Sequence, residues 1–289
     1  MAKLKIAIIH PFEKARWVFP IQHDGLKAAL NLIGQKHQVD WYLESYVPDD
    51  SYDWIIPWGV GSLTFNYSIE KYKGRKALLC AGHPDDLENI DKFETVFVES
   101  PEVYEQMKEH CKQIILAFGT DTDFFKPTEN KKMFDAFFPA TYSPWKRQRL
   151  FGLAIGSRGL TCGYMQPDGV EDYKTCVENN TYTLVGILPT VLIAQLYNMS
   201  RTCVVPAWHG SERTVLEAMS TNIPLVVVKD NILACSLVTD VCIKVDPNPQ
   251  ALREGFYRAL EKKVNTREYV IENYSHIIYA EKLLRVLLG

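Results

Sequence analysis

The sequence predicts an α/β chain built on parallel sheets. Short apolar runs recur along it, apolar at consecutive rather than alternate positions, as in strands buried on both faces. Segments with helical spacing separate them, the rhythm of βαβ units. That rhythm fills one half, breaks at a polar, turn-rich stretch, and starts again. Two Rossmann-like domains facing a cleft are therefore expected, with ligands beyond the carboxyl ends of the strands.

The elements follow in order. "LKIAIIH" is a continuous apolar run and the first strand. "DGLKAALNLIGQKH" carries leucine and alanine at helical spacing and ends near Gly34. "QVDWYLE", "YDWIIPWG", "KALLCAG" and "TVFVES" read as strands. "PEVYEQMKEHC" is a helix opened by Ser100 as N-cap and Pro101 at its first position. "QIILAFG" closes the first half. "GTDTDFFKPTENKKM" has linker composition. In the second half, strands are expected at "FDAFFPA", "GLTCGYM", "YTLVGIL", "TCVVPA", "IPLVVVK" and "VCIKVD". Helices are expected at 144–155, 189–199, 212–221, 248–263 and 267–288.

Bulk composition narrows the function classes. With 47% hydrophobic and 23% charged residues, the chain has material for ordinary globular cores. A net charge of -3 gives no general pull toward nucleic acid or anionic membranes. Arg16, Trp17, Lys71, Tyr72, Lys73 and Arg75 could line a basic, aromatic rim, but scattered surface charge is the favoured reading. The opening "MAKLKIAIIHPF" is too short for a signal-peptide core, and no apolar run approaches the ~18 residues of a membrane span. The seven cysteines include no Cys-x-x-Cys pair, which favours reduced thiols and a cytoplasmic protein over disulfides or zinc. Asn-x-Ser/Thr matches at Asn66, Asn179 and Asn198 carry little weight in that setting.

The chemistry concentrates in "WHGSERTVLEAM", residues 208–219, polar residues set between two apolar runs. Ser211 reads as the N-cap of a helix, with Asn222 as its left-handed C-cap. The amides of Glu212, Arg213 and Thr214 then form an anion site at the positive end of the helix. Gly210 permits close backbone approach. Glu217 lies on the face of Arg213 and Thr214, where a carboxylate could accept from a sugar diol. A phosphate on a hydroxylated ring fits this set; a capped surface helix with solvated charges is the competing reading. A second stretch, "YSPWKRQRLFGLA", reads as a helix with Ser143 as N-cap and Pro144 first. Lys146, Arg147 and Arg149 would crowd its start and oppose its dipole, by about 0.3–1 kcal/mol each when exposed. A bound diphosphate would compensate them; a basic surface turn is the alternative.

Taken together, these segments resemble the donor half of retaining GT-B glycosyltransferases of family 4. "WHGSERTVLEAMSTNIPLVV" is similar to the donor-binding signature, "AFGTDTDFFKP" to the domain-junction motif, and "PATYSPWKRQRLFGLAI" to the segment bearing the diphosphate lysine. "LVGILPTVLIAQLYNMSRTCVVPAWHG" resembles the entry to the donor site and "NYSHIIYAEKLLRVL" the closing helix. The resemblance covers about residues 95–289 well and the first 94 in outline. It implies an acceptor-side domain over 1–127, a nucleotide-sugar domain over 128–270, and a C-terminal helix over 271–289 crossing back to the first domain.

Residue by residue, the resemblance implies that Lys146 binds the donor diphosphate; the departure at Thr141 leaves Arg147 or Arg149 to share the phosphate charge with it. Gly210, Ser211, Glu212 and Arg213 form the loop and helix start around phosphate and sugar, and Thr214 adds a phosphate contact. Glu217 matches the glutamate that holds the ribose, and Ile187 lies where the base meets the backbone. His83 stands where relatives place a histidine near the donor sugar. Three departures stand out. His209 replaces the first glutamate of the usual pair, Thr141 replaces the arginine that precedes the lysine, and "HPFEKARWVFPIQHDG" replaces the glycine-rich acceptor loop.

The expected activity is transfer of a sugar from a nucleoside-diphosphate sugar to an acceptor hydroxyl. It needs no metal and no cofactor beyond that co-substrate, since a cation and a helix start stabilise the leaving group. Retention follows from the resemblance alone. His209, Lys146 and His83 are the candidate catalytic residues. The acceptor stays open among glycan, small molecule, lipid and modified nucleic acid. Two rivals share the fold: a sugar-nucleotide epimerase, and a catalytically degenerate sugar-nucleotide-binding subunit.

Overall fold

The computed structural model describes residues 3–10, 23–43, 51–59, 74–80 and 90–289. The chain divides into two compact units, Met1–Asp121 with Ser275–Gly289, and Thr122–Tyr274.

In the first unit, β1 (Lys5–His10), β2 (Gln38–Leu43), β3 (Trp54–Gly59), β4 (Arg75–Cys80), β5 (Thr95–Val98) and β6 (Ile114–Leu116) form one sheet. Its order is β2-β1-β3-β4-β5-β6, and every pair is parallel. Ile6 lies opposite both Val39 and Trp54, so the apolar run of β1 sits between two neighbours. The helix Gly25–Gly34 starts where the Asp24 side chain accepts from the Leu26 amide, and it buries Leu26, Ala29, Leu30 and Ile33. These pack with Ile6, Ile8, Trp54 and Phe97, and with Tyr279, Leu283 and Leu287 of the helix His276–Leu287. Trp54 Nε1 donates to the Leu287 carbonyl at 3.0 Å. The C-terminal helix thus belongs to the core of the first unit, each large apolar side chain contributing about 1.5–3 kcal/mol.

In the second unit, β7 (Phe134–Pro139), β8 (Gly159–Gly163), β9 (Tyr182–Val185), β10 (Ser200–Val205), β11 (Leu225–Val228) and β12 (Ile243–Val245) form the other sheet. Its order is β12-β11-β10-β7-β8-β9, again all parallel. The chain order proceeds outward on opposite sides of the β7–β10 pair, which makes that pair the topological switch point. Cys203, Val204 and Val205 of β10 and Val226, Val227 and Val228 of β11 are fully buried, as a sheet covered on both faces requires. Aromatics fill the layer beside it: Phe137 meets Tyr197 edge-on at 5.0 Å, and Phe138 stacks on Phe151 at 6.2 Å.

Several local expectations need correction. The helix expected over 144–155 is a 3-10 turn, Pro144–Lys146, then an α-helix, Gln148–Ile155, broken by Arg147 in the left-handed region at φ 52°. Ser143 makes no side-chain cap; it is fully buried and its amide faces Gln148 Oε1. The helix expected over 267–288 divides at Ser275 into Arg267–Tyr274 and His276–Leu287. Helices Val170–Glu178 and Ile232–Leu237 were not foreseen, because the first is too polar and the second too short to give a period. The stretch with linker composition is buried in part: Thr120, Asp121, Thr122 and Phe125 are all enclosed. Arg267 holds it by donating to the carbonyls of Thr122 at 2.8 Å and Phe125 at 3.0 Å.

Candidate functional site

The loop after β7 and the loop after β10 leave the sheet on either side of the switch point. The Trp208 amide donates to the Trp145 carbonyl at 3.1 Å, tying the two loops together. Thr214 Oγ1 donates to the Pro139 carbonyl at 3.1 Å, tying the helix Glu212–Ser220 to the end of β7.

Lys146 stands where these loops meet. Its Nζ donates to Ser211 Oγ at 3.0 Å and to the His209 carbonyl at 3.3 Å. Two of the three ammonium donors are thereby engaged. The residue as a whole is half-buried, but protein packs closely around its amine. Desolvation pulls its pKa down to about 8; the Glu212 carboxylate works against that shift and Arg213 reinforces it. The amine thus gives up its proton more readily than an ordinary lysine, and an incoming anion would favour the charged form.

Ser211 does not act as the cap that its residue type suggests. It occupies the cap position in the left-handed region at φ 75° and makes no side-chain cap bond. Its hydroxyl faces Lys146 instead. The leading amides of this helix therefore lack the usual serine acceptor. Gly210 is also left-handed, at φ 69°, and a Cβ there would lie 2.7 Å from Lys146 Nζ. The positive φ favours glycine at that position, and a Cβ there would press on the end of the Lys146 side chain.

The remaining sequence-derived residues are placed as follows. Glu212 and Arg213 are half-buried at the helix start, close enough to bias Lys146 electrostatically. Glu217 Oε2 accepts from the Tyr197 hydroxyl at 3.0 Å. Burial, then the Glu217 charge, raises the Tyr197 pKa well above its ordinary value, so Tyr197 stays a donor. His209 is half-buried, its ring centroid 5.5 Å from that of Trp208. Thr141 sits in the same loop as Lys146, and its carbonyl accepts from Gln148 Nε2. Arg147 turns instead to Asp230, with 2.8 Å between charged atoms. Ile187 is 52% exposed beyond β9, the edge strand, with β8 between it and β7. His83 lies outside the described residues.

Among the described residues, no three His, Cys, Asp or Glu side chains converge so as to hold a metal ion. Within "TDTD", Asp121 pairs with His23 at 3.0 Å. Tyr197, Asp230 and Asn231 support the site and were not singled out in the sequence. "KDN" reads locally as a turn and a helix cap, and its reach to another loop has no local signature.

No protein-family model matches the chain, and no curated protein sequence matches it significantly. Solved structures do. A glycosyltransferase from Rickettsia africae matches with a TM-score of 0.74 and 14% identity, over 99% of this chain and 98% of that one. HepE of Anabaena, solved in complex with UDP, gives 0.73 and 14%, over 98% of this chain and 99% of that one. Sucrose-phosphate synthase of Thermosynechococcus elongatus gives 0.70 and 16%, over 98% of each chain. The chain therefore has the α/β fold of these GT-B glycosyltransferases, with two parallel six-stranded sheets. At these identities the likeness is one of fold.

Proposed function

We propose that this protein is a glycosyltransferase, akin to retaining family 4, that moves a sugar from a nucleoside-diphosphate sugar to an acceptor hydroxyl. One observation carries the reading: a desolvated lysine amine is pinned at the switch point of the second sheet, beside a helix start without a side-chain cap. A diphosphate suits such a pair, because its negative charge complements both the desolvated ammonium and the positive end of the helix. HepE, solved with UDP, supports the same ligand class by likeness of fold.

In this reading the glycosidic C–O bond of the donor breaks and the departing diphosphate takes the electron pair, while the acceptor oxygen bonds the same carbon and its proton passes to the departing diphosphate. Lys146 and the amides of Glu212, Arg213 and Thr214 stabilise that developing charge, as preorganised donors do. Glu217, oriented by Tyr197, holds the ribose, and Ile187 meets the base. Arg147 adds positive potential from the edge of the site, and Thr141 lines it. His209 contacts the donor sugar in place of a glutamate; His83 stays a catalytic candidate by resemblance of sequence alone and lies outside the described residues. Transfer proceeds with retention and without a metal or other cofactor. The seven cysteines are all thiols, five of them buried, which agrees with a cytoplasmic setting. No described helix is long and apolar enough to cross a membrane.

Titration calorimetry with UDP and GDP tests the reading. One of them binds at micromolar to low millimolar concentration, and the Lys146→Ala protein binds it at least ten times more weakly. Absence of binding by both, at millimolar levels, refutes it. Incubation with the nucleotide sugar alone then separates transfer from epimerisation, since only an epimerase yields a new sugar nucleotide without an acceptor.

A further inference from the structure

Asn231 lies between β11 and the helix Ile232–Leu237, and its side chain is fully buried. Its Oδ1 accepts from the Ala234 amide at 3.0 Å, capping that helix. Its Nδ2 donates in the other direction, to the carbonyls of Ala207 and Gly210, each at 2.9 Å. Those carbonyls bracket Trp208 and His209. The next two steps of the chain, Gly210 and Ser211, both have positive φ, an unusual backbone path that needs fixing from outside. Both hydrogens of one amide group supply that fixing, from a different strand-to-helix turn. The preceding residue, Asp230, binds Arg147 from the surface side, so the same turn touches both loops of the site.

We propose that Asn231 is the positioning residue of the site: it holds loop 207–211 in the conformation that presents Ser211 Oγ and the His209 carbonyl to Lys146. The helix cap is its second task, and the residue type serves both because only a side-chain amide carries an acceptor and two donors at this length. Aspartate or serine would cap equally well, and neither could donate to both carbonyls. The proposal refines the diphosphate-binding reading of this site and uses a readout independent of it.

Asn231→Ser is the informative variant, since it keeps a neutral capping oxygen but is too short to reach Ala207 and Gly210. The readout is the pH dependence of Lys146 acylation by acetic anhydride, followed by mass spectrometry of its peptide. The midpoint expected for the unaltered protein is near 8, below that of ordinary lysines, and an ordinary midpoint there overturns the proposal. In the folded Asn231→Ser protein the midpoint moves up by at least one pH unit, toward that of ordinary lysines, because water enters as the loop loosens. An unmoved midpoint overturns the proposal and reduces Asn231 to a cap. Asn248→Ser is the control: Asn248 caps another helix by accepting from the Ala251 amide at 2.9 Å, and its substitution leaves the midpoint in place; a shift as large as that of Asn231→Ser also overturns the proposal. UDP affinity is measured in parallel and falls about tenfold in Asn231→Ser. If the unaltered protein binds no nucleotide yet the midpoint moves, the diphosphate reading fails while the positioning role stands. Should Asn231→Ser not fold, side-chain amide exchange in the unaltered protein decides: slow exchange of both Asn231 protons is expected, and exchange at the rate of a solvent-exposed asparagine overturns the proposal.

Discussion

Among the described residues, three serines occupy α-helix N-cap positions, and two of them behave differently from the third. Ser100 has an extended backbone, φ -140°, and its hydroxyl accepts from the Val103 amide. Ser275, φ -70°, accepts from the Ile278 amide in the same way. Ser211 is left-handed, φ 75°, makes no cap bond, and its hydroxyl oxygen accepts from a lysine 65 residues away in the chain. The first two are local devices that satisfy an orphan amide of their own helix. The third gives its own helix no side-chain cap and takes on backbone strain of about 1–2 kcal/mol. Strain retained at a strand-to-helix turn, together with an unused capping residue, marks a turn shaped for something other than stability.

The largest expected break in this comparison comes from Lys146. Lys146→Ala should cost about 1.5–3 kcal/mol of nucleoside-diphosphate binding, the range for a hydrogen bond to a charged group, or roughly ten- to a hundredfold in Kd by calorimetry. Lys146→Met should lose the same affinity without losing stability at pH 7, since it removes a desolvated cation; a lower melting temperature would count against that account.

The pH dependence sharpens the same point. Lys146, with its pKa lowered from 10.5 to about 8, binds fewer protons folded than unfolded between those values. The free protein should therefore gain stability as pH rises through that window, relative to Lys146→Met, in urea unfolding at pH 7 and pH 9.5. Below pH 8 the cost of the buried cation is fully present. Nucleotide affinity should run the other way: flat below about 8, then falling by up to ~tenfold per pH unit as the free lysine loses its proton. A rise in affinity above pH 8 would remove Lys146 from the diphosphate site.

His209→Ala should lower turnover more than it weakens nucleotide binding, because the residue is expected to meet the sugar. Equal losses in both, or none, would defeat that assignment. The smallest effects separate the serines themselves. Ser100→Ala and Ser275→Ala should each cost about 1 kcal/mol of stability and leave nucleotide affinity alone. Ser211→Gly should hold or raise stability, since glycine accepts the left-handed conformation, while weakening nucleotide binding through the lost contact to Lys146.

Much of the fold was legible residue by residue. "TCVVPA" and "IPLVVVK" announce buried parallel strands because consecutive β-branched residues suit a sheet covered on both sides. Asn222 was readable as a left-handed helix terminus and has φ 60°. The break at Arg147 was not readable. Nothing in "PWKRQ" forbids a continuous helix; the left-handed turn there accompanies an ion pair with Asp230, 83 residues away. The helix Val170–Glu178 escaped because only Asp172 and Cys176 of it are buried, too few positions to set a period.

The amino-acid order by itself determined the alternation of strand and helix, the parallel sheets, and the polar insert at 208–219 as the place to look. Those follow from local rules: burial on both faces, helical period, turn chemistry. The tertiary structure decided that β7 and β10 are neighbours, that Lys146 rather than Arg147 enters the loop, and that Ser211 forgoes its helix to meet that lysine. Such outcomes turn on desolvation and on hydrogen bonds between distant segments, which exist only after the strands are side by side.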